Sequence, residues 1–140
     1  MSDKVKLRYD GKFQKSESTS FVHDGVQMTS YENEPFLVGD YTHSETEFMH
    51  FSHQKWYTIE PYQNEKPIFG YSAVSLTKKI FIIGGCCDKD WSKPWSNIAL
   101  FENYEWSIIG KLNHGRKNFM TVLNGNEIMI IGGTSYDNKT

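Results

Sequence analysis

The chain has little of what usually identifies a protein. It holds two cysteines, Cys86 and Cys87, and they are neighbours. An adjacent pair cannot staple a disulfide framework, so the fold must rest on packed apolar surface. The two thiols are read as reduced and near the surface, with a redox role open. No apolar run approaches the ~18 residues that a membrane helix needs. Met1-Ser2-Asp3-Lys4 lacks the apolar centre of a secretory signal, so with Met1 as the true start the chain is expected in the cytoplasm. Charge of one sign is also missing. The net charge is −2, and no Lys/Arg cluster has the density of a nucleic-acid patch. No segment of useful length carries a helical period. Nucleophile elbows, phosphate loops and HExxH motifs are absent from the sequence.

What is present is a repeated strand signal. Ile80-Phe81-Ile82-Ile83 ends in Gly84-Gly85, and 48 residues later Ile128-Met129-Ile130-Ile131 ends in Gly132-Gly133. Four consecutive apolar residues rich in Ile fit a strand buried on both faces, and the run is too short for a helix. The glycine pair stops the strand and leaves room for a close neighbour. A weaker copy, residues 35–39, closes on Gly39-Asp40, 45 residues before Gly84.

The rest of the chain falls into register with these doublets. Residues 5–9 alternate apolar and polar as a strand does, and Asp10-Gly11 marks a tight turn. Residues 14–20 read as a polar loop. Strands are expected at 26–31, 35–39, 46–51 and 56–59, with a turn at 32–34. A second unit follows at 69–76, 80–85, 97–101 and 106–110. A third begins at 118–123, turns at Asn124-Gly125, and runs through Gly133. Phe51 to Trp56 and Phe101 to Trp106 are both five residues apart, which predicts the same tight hairpin twice.

Four strands, a period near 50, a glycine pair after strand two and a Trp opening strand four resemble the kelch repeat, one blade of a β-propeller. The resemblance covers residues 24–140. Departures are Asp40, Phe51 and Phe101 where kelch strands usually carry Tyr, and no arginine opening the first two units. Arg116 with Gly132-Gly133 resembles the kelch arginine and glycine positions. The resemblance implies an all-β partial propeller divided as an N-terminal strand and loop (1–23), blade one (24–66), blade two (67–116) and half of blade three (117–140). It also implies that Gly39, Gly84, Gly85, Gly132, Gly133, Trp56 and Trp106 are structural repeat positions, with the tryptophans packed between blades. Propellers have 4–8 blades. The chain is therefore expected to be part of a longer propeller or a truncated product, or else to complete a ring by association.

The same resemblance places the loops 40–45, 62–66, 86–96 and 113–116 on one face. The longest holds Asp88, Lys89, Asp90, Trp91 and Trp95. With His114 and Arg116 these are the candidate partner-binding residues, because Trp is enriched in binding hot spots. The alternative is that the two tryptophans fold back over the sheet edge. Charges of both signs there argue against a nucleic-acid or membrane partner. Enzyme chemistry has a weaker claim. His50-x-x-His53 has a metal-like spacing without a completing ligand. The copper site of galactose oxidase, a kelch-propeller enzyme, needs a Tyr-Cys pair, a second Tyr and two His; Tyr71, Tyr104, Cys86 and the histidines supply the types without a motif. The expectation is a non-catalytic protein-interaction module with no cofactor and no metal. A galactose-oxidase-like copper enzyme fragment and a carbohydrate-binding module are the alternatives.

Overall fold

A computed structural model describes residues 6–9, 12–15, 27–39, 46–50, 55–59, 68–86 and 93–135. These residues are all β and antiparallel, and no helix occurs among them. Strands β1 (Lys6–Tyr9) and β2 (Lys12–Lys15) form a hairpin. Strands β3 (Gln27–Tyr31), β4 (Glu34–Val38), β5 (Thr46–His50) and β6 (Lys55–Ile59) form one four-stranded sheet in chain order. Strands β7 (Phe69–Leu76), β8 (Lys79–Cys86), β9 (Asn97–Glu102) and β10 (Glu105–Lys111) form a second. Then come β11 (Arg116–Lys117), β12 (Met120–Asn124), β13 (Glu127–Ile131) and β14 (Thr134–Ser135), with β12 on β13 and β11 on β14.

The sequence repeat is a repeat of geometry. Leu76 faces Lys79 across one turn, Asn124 faces Glu127 across another, and Tyr31 faces Glu34 across a third. The first central residue of each turn, Thr77, Gly125 or Glu32, has positive φ. At Glu32-Asn33 both central residues do, the pattern of a type I′ turn whose twist suits a hairpin. Near the other end of the first strand, Gly70 and Asn118 occupy equivalent positions 48 residues apart, again with positive φ.

The core lies between the two four-stranded sheets. Tyr31, Phe36 and Val38 from the first meet Tyr71, Ile80, Ile82, Ala99 and Phe101 from the second. The Phe36 and Phe101 rings are 5.0 Å apart, and Trp106 lies 4.8 Å from Phe101. Such tilted aromatic contacts add about 0.5–1.5 kcal/mol per pair beyond burial. Tyr71 stitches the sheets together with polar bonds. Its hydroxyl donates to the Val38 carbonyl, lies 3.2 Å from the Gly39 carbonyl, and accepts the Gln27 N–H at 3.1 Å. One step along the chain, Phe119 takes the position of Tyr71 and docks on the second sheet. A Cβ on Gly84 would stand 2.5 Å from the Arg116 carbonyl and 2.9 Å from the Phe119 ring.

Four expectations need correction. Cys86 is not near the surface: it ends β8 and is buried, because the strand runs one residue past the glycine pair. The third hairpin turns at Gly125-Asn126, not Asn124-Gly125. Only Gly125 has positive φ there, so the loop follows the Gly-x pattern of a type II′ turn. The two Trp hairpins also differ. Trp106 faces Phe101 across a two-residue loop, whereas Trp56 faces Met49 and His50 faces Lys55, leaving a four-residue connection. Finally, residues 127–133 are not one strand; the ladder breaks at Gly132-Gly133 and resumes as β14 on β11.

Candidate functional site

The two connections at the Gly85 end of the second sheet are tied to each other. The Trp95 N–H donates to the Gly85 carbonyl at 2.7 Å, and the Trp95 carbonyl accepts the Arg116 N–H at 3.1 Å. The Leu112 N–H donates to the Ser96 carbonyl at 2.7 Å. Gly115 passes so close to the Pro94 carbonyl that no side chain fits. Residues 93–96 and 112–116 therefore form one shelf, joined by two backbone hydrogen bonds and the Gly115–Pro94 approach and tied to β8 through Gly85. Lys93, Asn113 and His114 project from it exposed.

Of the candidate binding residues, the shelf brings together Trp95, His114 and Arg116. Trp95 is half-buried and packs against the core cluster, so its ring is partly committed to the fold. Arg116 is half-buried and its Nη1 donates to the Gly132 carbonyl at 2.8 Å, which braces the end of β13. His114 alone of the three is exposed. Asp88, Lys89, Asp90 and Trp91 lie outside the described residues, as do Cys87, the loops 40–45 and 62–66, and His23, His43 and His53. Of the repeat positions, Gly84 and Gly85 are pressed between neighbours, and Gly133 lies against the Lys117 carbonyl and Phe119. Gly39 is buried. Gly132 has nothing within 4 Å of a built Cβ. Trp56 and Trp106 are both half-buried.

Residues offered by the copper reading are spread apart. Tyr71 has its hydroxyl engaged by backbone carbonyls, at the Gly84 end of the sheet. Tyr104 sits in the β9–β10 turn at the other end, its ring edge-on to Tyr31 at 5.9 Å. Among the described residues no group of three or more His, Cys, Asp and Glu could hold a metal. Two titrating side chains at the turn end of the sheets are shifted. Burial, aided by the Glu32 charge, raises the Tyr31 pKa, and the hydrogen bond that Lys78 donates to Glu32 raises that of Lys78. Lys78 Nζ meets Glu32 Oε1 at 2.9 Å, one sheet's turn against the next.

Tyr71 and Phe119 carry the contact between successive sheets, and sequence reasoning missed that role. The signal was available: each lies 13 residues before its doublet, Gly84 or Gly132, while Val26 holds that place before Gly39.

No protein-family model matches the sequence, and no curated protein matches it. Among solved structures the chain is similar to that of YjhT, with a TM-score of 0.75 at 17% identity over 88% of this chain. The match spans 42% of that protein, so the chain corresponds to less than half of its length. A likeness at this identity speaks for the fold alone.

Proposed function

We propose that the chain is a kelch-like arc of a β-propeller that binds another protein through its loop shelf, without catalysis. The observation that carries this reading is the shelf itself. Two connections from different parts of the chain are locked together by backbone hydrogen bonds, and Lys93, Asn113 and His114 stand exposed on them. Rigid sheets presenting fixed loops are a common way to build a binding surface. The blade assignment is supported by two sheets of four antiparallel strands in chain order, by the 48-residue repeat of hairpin geometry, and by an aromatic residue docking each unit on the one before. Mixed charge and the absence of a basic cluster favour a protein over a nucleic acid or a membrane surface.

The test is a double variant, Lys93→Glu with His114→Ala. Both side chains are exposed, so the thermal melt should stay within about 0.5 kcal/mol of the parent. Binding to a partner first identified by cross-linking in cells should fall about tenfold or more. Glu105→Lys, at the far end, should leave binding intact. Unchanged binding by the double variant would remove the shelf from the interface. Saturable sugar binding lost in that variant would point to a carbohydrate-binding module instead. Stoichiometric tight copper after metal loading would overturn the non-catalytic reading.

A further inference from the structure

The last hairpin leaves a face and an edge that elsewhere in this chain are covered. Ser72, Val74, Phe81 and Ile83 lie on the side of the second sheet that receives the third unit; Ser72 Oγ is 2.6 Å from Thr121 Oγ1. Ser72, Val74 and Ile83 are 7%, 7% and 2% exposed. Shifted by 48 residues, these four positions are Met120, Val122, Met129 and Ile131, which are 70%, 45%, 48% and 53% exposed. The notch at Gly84 is filled by Phe119, whereas the equivalent notch at Gly132 is open. So the chain shows what this surface looks like when occupied, and shows it bare in the last unit.

Strand pairing differs between the units in the same way. In both complete sheets the second strand, β4 or β8, pairs with a third. Among the described residues β13 pairs with β12 alone. Near the start of the chain, β1 and β2 pair with each other and join no other described strand. Among the described residues, then, one two-stranded hairpin has no third strand beside it, and another joins no larger sheet. Joined antiparallel they make the same four-stranded unit as the other two.

We propose that a second copy of this chain covers the open face, with the β1–β2 hairpin of each copy pairing along the β13 edge of the other. This rests on the propeller reading above. Pairing among the described strands of a single copy would close a ring of three sheets, below the 4–8 of known propellers. Reciprocal exchange between two copies gives four complete sheets and two shared ones, a ring of six with a twofold axis. The neighbouring sheet of the second copy would then meet the bare face with its own outer side, where Met28 is 55% exposed beside the buried Pro35 and Leu37.

Sedimentation equilibrium on the whole chain should give twice the 16.3 kDa chain mass. Ile131→Lys places a charge on the bare face without touching the monomer core. Phe13→Pro removes a ladder donor from β2. Each should weaken dimerisation about tenfold or more, the effect of losing one interface hot spot. A monomer at every concentration, or a dimer indifferent to Phe13→Pro, would overturn the proposal; open-ended higher assemblies would overturn the closed ring. Tyr71→Phe, measured in the same monomeric sample, separates the two readings. If it still destabilises the chain, the stacked sheets stand and only the dimer is lost.

Discussion

Two glycines that look equivalent in sequence differ in what surrounds them. Gly84 and Gly132 both have positive φ, at 61° and 74°. Alanine at either residue carries the left-handed penalty of about 1–2 kcal/mol. At Gly84 the new methyl would also meet a backbone carbonyl and an aromatic ring, and neither can move without parting two sheets. Gly84→Ala should therefore lower the melting temperature clearly more than Gly132→Ala in dilute protein; equal shifts would mean that the third unit does not rest on the second. Tyr71 gives a complementary test. Tyr71→Phe keeps the ring but strands the Val38 carbonyl in the core, which should cost about 1–3 kcal/mol in a denaturant titration. Trp95 is the residue whose role shifts most on seeing the fold. As a loop residue it would cost little to truncate. Half-buried against the core, it should cost about 1.5–3 kcal/mol when changed to alanine.

At the scale of the hairpin, turn chemistry and charge act together. The Glu32–Lys78 pair joins the turns of successive sheets, beside Tyr31. Both Tyr31 and Lys78 hold their protons more tightly in the folded chain than in the unfolded one. The folded state thus binds more protons at high pH, and this contribution is complete below the ordinary tyrosine value of 10.0 and lost as pH rises through the raised values. Chemical denaturation should show stability falling above about pH 10 in the parent, and falling less steeply in Glu32→Gln, which removes a shared cause of both shifts. An identical alkaline slope in the variant would disprove the coupling. The hairpins were the legible part of the sequence. Strand β7 and its turn at Thr77-Lys78 follow from apolar runs bounded by turn residues, which act locally. Register was harder to read. The Phe-x4-Trp spacing occurs twice, yet the two loops differ by two residues, because pairing is set by contacts across strands rather than along one. The shelf was partly legible: the loops could be named, but the carbonyl bonds that unite 93–96 with 112–116 involve backbone atoms that every residue carries.

At the scale of the whole molecule, stability should follow position in the stack. Each sheet is held by nearest neighbours, so a unit covered on both faces opens last. The β7–β10 sheet has the first sheet on one side and the third hairpin on the other, and Ile80, Ile82 and Ile83 are among its most buried residues. Strand β13 has three of its five residues exposed and one neighbouring strand among those described. Native-state hydrogen exchange should rank the amides of β8 as the most protected, those of β4 next, and those of β13 last. The ranking depends on concentration in a useful way. In dilute protein β13 should exchange through local opening, well before the rest. If a second copy supplies β1 and β2, raising the concentration should slow exchange in β13 and β2 together, while β8 already opens only with the whole chain. Protection gained in β13 without any gain in β2 would mean that the face is covered by something other than the exchanged hairpin. Uniform protection across β4, β8 and β13 at low concentration would mean that the chain unfolds as one unit and that the bare face costs it nothing.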